Sequence, residues 1–197
     1  MNTANKITIS RVIMSFIIMI LLLFPFELLN IKLPTYIFNG NIYIELKYII
    51  AGILFVIASL TDFLDGYVAR KYNMVTDFGK MVDAVSDKLL TNTVLVILAC
   101  DGMISPIIAV AIIARDIFVD SIKMVIGNKG KAVAAIRVAK FKTASLMVGI
   151  ILTLFYNIPF ELINLRVSDF MLVLAAILSV ISGVKYYMMA RVYFTDK

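Results

Sequence analysis

Six long apolar runs dominate the 197-residue sequence and constrain its fold more than any other feature. They cover roughly residues 10–28, 48–68, 82–100, 104–124, 142–160 and 169–191. The polar stretch between the first two runs, with Pro34, Asn39, Gly40 and Asn41, is predicted to be a loop. A helix needs ~20 mostly apolar residues to cross a bilayer, and each run is about that long. The chain is 62% hydrophobic and 16% charged, whereas a soluble domain has about half apolar and a quarter charged residues. We therefore expect one domain over residues 1–197, an all-α integral membrane protein built as a bundle of six transmembrane helices.

Lysine and arginine residues orient the predicted spans. If the N-terminus is cytoplasmic, the outer loops hold only Lys32, Lys47 and Arg166, which leaves 16 of the 19 basic residues at the inner ends or within spans. Cytoplasmic loops are enriched in Lys and Arg. This bias predicts a multi-pass protein of the cell membrane with both termini in the cytoplasm. The net charge of +6 suits contact with anionic membrane lipids, and we expect no nucleic-acid partner.

Four aspartates lie where the second run ends and the third begins: Asp62, Asp65, Asp83 and Asp87. Residues three or four apart share a helix face, so each pair forms a stripe. The short connection lets the two stripes face each other in an antiparallel hairpin. Four unpaired carboxylates this close would repel one another, and bound cations remove that conflict.

The residue types also limit the chemistry at these aspartates. Ligand sets made only of oxygen favour Mg²⁺ or Mn²⁺, and we expect one or two such ions. The chain has no histidine, which removes the usual zinc sites and Ser-His-Asp triads. Metal-assisted chemistry remains, with an aspartate as the general base.

Two other interpretations of the aspartates stay open at this point. They could be helix caps and loop charges at a membrane surface, which is how we interpret Asp77 and Asp101. That account fits Asp65 and Asp87 poorly, because ionisable groups at the membrane edge are costly and usually functional. They could also form the ion site of a cation transporter. Transporters often show repeated halves and broken spans near the midplane, and this sequence has no such repeat.

The acidic stretch resembles the signature of the CDP-alcohol phosphatidyltransferases. The matching residues are Asp62-x-x-Asp65-Gly66-x-x-Ala69-Arg70 and then, eight residues later, Gly79-x-x-x-Asp83-x-x-x-Asp87. Flanking matches are Asn5-x-x-Thr8-x-x-Arg11, Ala114-Arg115-Asp116 and Lys140-x-Lys142-Thr143. These flanking features are most similar to the bacterial members that make phosphatidylglycerophosphate.

The resemblance implies an enzyme, usually a homodimer, with its active site on the cytoplasmic side. It would transfer the phosphatidyl group of CDP-diacylglycerol to an alcohol and release CMP. By position, Asp62, Asp65 and Asp83 would bind one metal ion, while Asp83 and Asp87 would contribute to a second. Asp87 would also take the proton of the acceptor hydroxyl. The CDP moiety would contact Asp62, Gly66, Arg70, Thr8 and Arg11. Thr8 and Arg11 could instead anchor the first helix at the lipid headgroups.

The acceptor is predicted from basic residues near the inner ends of spans four and five. sn-Glycerol 3-phosphate brings a phosphate dianion that needs its own cations, and arginine and lysine supply them in different geometries. The candidates are Arg115, Lys123, Arg137, Lys140 and Lys142. We therefore predict glycerol 3-phosphate as the acceptor. Serine, inositol phosphate and phosphatidylglycerol remain alternatives, and the basic run could be an ordinary positive-inside loop. Arg115 lies well inside a span, so it needs a partner or a water-filled cavity.

Overall fold

Each of the six apolar runs coincides with one α-helix. The computed structural model describes the backbone of residues 3–29, 31, 33–38, 42–71, 77–128, 130 and 136–195. Within these ranges it describes all side chains except those of residues 3–7, 27, 29, 38, 42, 63–71, 77, 78, 80 and 193–195. The helices are α1 (Thr3–Leu23), α2 (Leu46–Lys71), α3 (Asp77–Cys100), α4 (Pro106–Asn128), α5 (Arg137–Leu154) and α6 (Val167–Thr195).

Helix boundaries differ from the apolar runs because polar turns can be helical and apolar residues can lie in loops. α1 begins at Thr3 rather than near residue 10, and it ends at Leu23, shortly before Pro25. α5 begins at Arg137 with a basic first turn and ends at Leu154. Its predicted end at residue 160 is wrong, because Tyr156 and Asn157 have positive φ and end the helix.

A β-hairpin occupies part of the segment that was predicted as a loop between α1 and α2. Strands β1 (Thr35–Phe38) and β2 (Ile42–Glu45) pair antiparallel. Residues 39–41, which connect them, lie outside the described residues. The sequence there contains Asn39-Gly40 between apolar strands, which is a strong hairpin signal. The loop prediction was therefore wrong for these eight residues, although the chain is otherwise helical.

Two helix groups form the bundle and share one core. α1 packs against α2 and α3, while α6 packs against α4 and α5. Fully buried side chains from different helices meet between the groups, including Ile18, Phe55, Leu98, Ile112 and Leu172. α5 and α6 approach closely at Gly149, where an added Cβ would lie 2.7 Å from the Leu172 side chain.

The outer surface of the bundle is apolar. Large aliphatic or aromatic side chains are exposed on all six helices, for example Ile13, Ile53, Val96, Ile107 and Phe170. Within the described residues, one helical segment, Val167–Val192, is both long and apolar enough to cross a membrane, and a shorter apolar segment covers Thr8–Leu23. The structure thus confirms six helices, and the prediction that all six cross the membrane remains untested.

Candidate active site

The predicted site residues gather at one end of the bundle. This end contains the beginnings of α1, α3 and α5 and the ends of α2, α4 and α6, because successive helices alternate in direction. The opposite end contains the hairpin, the turn at residues 101–105 and the segment from 155 to 166. The structure therefore brings the acidic motif and the basic candidates to the same side of the molecule.

The acidic part of the site is organised by Arg11 of α1. Its guanidinium forms ion pairs with Asp62 of α2 and Asp83 of α3, through Nη1 and Nη2 respectively. The Arg11 side chain is only 1% exposed, whereas those of Asp62 and Asp83 are 32% and 52% exposed. α1 thus supplies a buried cation that joins carboxylates of two other helices, α2 and α3, which were predicted to face each other in a hairpin.

Thr8 and Arg11 of the N-terminal motif have two predicted roles, contact with the nucleotide and anchoring of α1 at the lipid headgroups. Thr8 is 3% exposed and Arg11 is 1% exposed. A residue that anchors a helix at lipid headgroups would keep its polar end in the interface. The burial of both side chains argues against the headgroup interpretation, and contact with a nucleotide stays a prediction for both.

The carboxylates fit a hard divalent cation in their chemistry. Asp62 and Asp83 reach the same Arg11 guanidinium from different helices, and Asp87 lies one turn further along α3. Among the side chains that the structure describes, no three His, Cys, Asp or Glu residues form a metal-sized cluster. Asp65, Gly66 and Arg70 belong to α2, but only their backbone is described. The metal and CDP roles of these residues stay predictions.

The basic part of the site is built on Asp116 of α4. Its carboxylate accepts hydrogen bonds from Lys142 Nζ at 2.9 and 2.7 Å and from Arg115 Nη1 at 2.8 Å. Arg115 Nη2 also donates to Ser182 Oγ of α6 at 2.6 Å. Arg115 thus has the protein partners that we expected for a charge within a long apolar run. Lys142 is buried, so Asp116 is the counter-ion that makes its burial possible.

Tyr186 of α6 contacts the cations of α4 through its ring. The Arg115 guanidinium carbon lies 5.6 Å from the ring centroid, and Lys123 Nζ lies 5.2 Å from it. Arg137 and Lys140, the other two predicted phosphate ligands, are exposed at the beginning of α5. The structure therefore groups Arg115, Lys123 and Lys142 around Asp116 and Tyr186, and it leaves Arg137 and Lys140 at the surface.

The acidic and basic parts adjoin each other through an ion pair between α3 and α4. Lys88, which follows Asp87 in the chain, pairs with Asp120. Asp120 lies one helical turn from Asp116 on α4. The pair therefore places the basic cluster (Arg115, Lys123 and Lys142) beside the acidic stripe of α3 (Asp83 and Asp87). Sequence reasoning missed Lys88, Asp120 and Tyr186. Ser182 and Tyr186 are four residues apart on one face of an apolar helix, and that spacing was a usable signal.

Known proteins share sequence similarity with this chain over most of its length. The chain belongs to the CDP-alcohol phosphatidyltransferase family, whose family model matches residues 1–185. A CDP-diacylglycerol–glycerol-3-phosphate 3-phosphatidyltransferase of Bacillus subtilis is 36% identical over 186 residues, which are 94% of this chain and 93% of the relative. Proteins with the same name from Rickettsia typhi and Rickettsia bellii are 36% and 34% identical and cover 74% and 82% of this chain. The matches cover 82% and 90% of those two relatives.

Proposed function

We propose that this chain transfers the phosphatidyl group of CDP-diacylglycerol to sn-glycerol 3-phosphate, giving phosphatidylglycerophosphate and CMP. The family membership and the shared name of the relatives support the reaction class. The observation that carries the choice of acceptor is the basic cluster beside the acidic stripe. There, Arg115 and Lys142 share one carboxylate, Asp116, and Lys123 lies over the Tyr186 ring, so three cations and one carboxylate leave two positive charges for a phosphate dianion.

The acidic stripe supplies the donor side of the reaction. Asp62, Asp65, Asp83 and Asp87 would hold two divalent ions, Mg²⁺ or Mn²⁺, which offset the charge of the pyrophosphate and of the departing CMP when bound. Asp87 accepts the proton of the acceptor hydroxyl as general base. The hydroxyl oxygen then attacks the phosphorus that carries the diacylglycerol, and the bond from that phosphorus to the CMP oxygen breaks.

The two charge clusters position the substrates against each other. Arg11 holds Asp62 and Asp83 at the junction of three helices, and in this role it fixes the place of the donor's diphosphate. Lys88 and Asp120 set the distance between the acidic stripe of α3 and the cations of α4. Holding two reactants in a productive geometry removes much of the entropic barrier of a bimolecular step. A phosphate bound to Arg115 and Lys123 would present its glycerol hydroxyl towards Asp87.

The membrane setting is part of the proposal. The exposed apolar side chains on every helix form more contiguous apolar surface than a soluble protein tolerates. α4 carries four charged residues, Arg115, Asp116, Asp120 and Lys123, and these belong to the site itself. We therefore infer six membrane spans with the site on the cytoplasmic side, both termini inside, and a homodimer as the assembled enzyme.

The test is CMP release from CDP-diacylglycerol by the purified full-length protein with different acceptors. The panel is sn-glycerol 3-phosphate, serine, inositol phosphate and phosphatidylglycerol. We expect CMP release, and a lipid product, only with glycerol 3-phosphate. Release with another acceptor would keep the family chemistry and contradict the proposed basic pocket. Absence of CMP release with every acceptor, together with cation uptake into proteoliposomes, would support the transporter alternative.

A further inference from the structure

Tyr186 lies at the point where three helices of the basic cluster meet. It is 1% exposed and belongs to α6. Its ring faces Arg115 and Lys123 of α4, at 5.6 and 5.2 Å from the centroid to the respective cationic groups. Its hydroxyl oxygen accepts a hydrogen bond from the backbone N–H of Ile136, directly before α5, at 3.3 Å. A buried tyrosine commonly uses its ring and its hydroxyl for separate contacts.

Two cations from separate turns of α4 approach the ring of Tyr186. Arg115 and Lys123 are eight residues apart on α4, which corresponds to ~12 Å along the helix axis. Both side chains nevertheless bring their charged groups to the same ring. Two like charges repel each other. The negative face of an aromatic ring attracts cations, so the ring offsets part of that repulsion.

The surroundings of Arg115 favour the same arrangement. Gly183, three residues before Tyr186 on α6, leaves room for the Arg115 side chain, because a Cβ there would lie 3.1 Å from Arg115 Cγ. Arg115 Nε is buried and has no hydrogen-bond acceptor among the described residues. Lys123, in contrast to Lys142, forms no ion pair with a carboxylate within the described part of the chain. The charge of Lys123, an exposed side chain, is therefore available to an anion.

We propose that Tyr186 is a positioning residue for the acceptor: its ring holds Arg115 and Lys123 together as a two-cation site for the phosphate of glycerol 3-phosphate. This inference rests on the proposed function and adds a residue that touches neither substrate. The ring, rather than the hydroxyl, is the part that acts on the cations. The hydroxyl joins α6 to the beginning of α5, which is a structural contact.

The first experiment compares Tyr186→Leu with Tyr186→Phe in steady-state kinetics of the purified protein. Loss of the ring should raise KM for glycerol 3-phosphate about 2- to 30-fold, the range between an exposed and a desolvated cation–π contact. KM for CDP-diacylglycerol should change by less than about two-fold, because that substrate's diphosphate binds at the acidic stripe. Tyr186→Phe should retain the wild-type KM. Tyr187→Leu, which removes an exposed ring beside Phe118, is the matched control and should also retain it.

The second experiment keeps the shape of the ring and changes its charge distribution. Phenylalanines with one, two and three ring fluorines are incorporated at position 186, and the same series at position 187 is the control. Fluorine weakens the negative ring face, so KM for glycerol 3-phosphate should rise with each fluorine at position 186 and stay level at position 187. This series decides the question even if Tyr186→Leu does not fold.

Three results would overturn the inference while leaving the proposed function intact. One is a constant KM across the fluorinated series at position 186. Another is an increase in KM with Tyr186→Phe as large as that with Tyr186→Leu, since this would assign the effect to the hydroxyl. The third is an equal increase for both substrates, which would indicate general distortion. Failure of the proposed function itself is distinct, because the wild-type protein would then not release CMP with glycerol 3-phosphate.

Discussion

Replacing Asp116 by asparagine should destabilise the protein by about 3–5 kcal/mol, the cost of leaving a buried ion unpaired. Asp116 pairs with Lys142 and Arg115, and the exposed fractions of the three side chains are 13%, 5% and 12%. Asparagine keeps the size of the side chain and removes its charge. Lys142 is the larger contributor, because Arg115 retains its hydrogen bond to Ser182.

The assay is thermal unfolding of the detergent-purified protein at one scan rate, because unfolding of such proteins is often irreversible. For a chain of this length, 3–5 kcal/mol corresponds to a decrease in Tm of roughly 6–20 °C. Asp120→Asn is the matched control, since it lies one turn away on the same helix. Its ion pair with Lys88 is 36–40% exposed, and such pairs contribute about 0–1 kcal/mol.

A second substitution tests whether the unpaired charge of Lys142 causes the loss of stability in Asp116→Asn. Adding Lys142→Met to Asp116→Asn removes the unpaired buried charge, so at least half of the lost Tm should return, although the double variant should bind the acceptor poorly. Equal decreases for Asp116→Asn and Asp120→Asn would refute the reasoning. So would a further decrease when Lys142→Met is added, because the buried lysine would then not be the source of the cost.

Three further predictions concern the site and the packing. Asp87→Asn should lower the rate of CMP release ~100-fold or more, because the general base is lost. Asp77→Asn, at the first residue of α3, is the control and should have little effect. Near wild-type turnover in folded Asp87→Asn would remove Asp87 from the mechanism. Exhaustive chelation should abolish CMP release and Mg²⁺ or Mn²⁺ should restore it, with Ca²⁺ less effective because its coordination shell is larger and looser; full activity in excess chelator would contradict the metal assignment. Gly149→Ala should lower the free energy of unfolding by about 1–3 kcal/mol, because the added methyl overpacks against Leu172. Gly127→Ala has no neighbouring atom within 4 Å and should not lower Tm. Equal Tm values for the two variants would show that α5 and α6 can separate at no cost.

The six helices and the positions of the acidic motif along them follow from local features of the sequence, whereas the metal chemistry of that motif stays a prediction. Apolar runs of ~20 residues and four-residue spacings are local properties, because a helix repeats every 3.6 residues along the chain. For this reason the six helices and the gathering of Asp62, Asp83 and Asp87 at one end could be predicted. The hairpin was missed although its signal is equally local. Its Asn39-Gly40 pair was interpreted as a loop.

The pairing of the charges depends on how the helices pack and could not be predicted from the sequence. Arg11 and Asp83 are 72 residues apart, and Lys142 and Asp116 are 26 apart. No periodicity relates such positions, since their contact depends on how whole helices pack. The sequence therefore marked Arg115 and Lys142 as cations for a substrate without revealing that Asp116 neutralises part of their charge. The contacts of the Tyr186 ring with Arg115 and Lys123 could not be predicted either, because they exist only where α4, α5 and α6 meet.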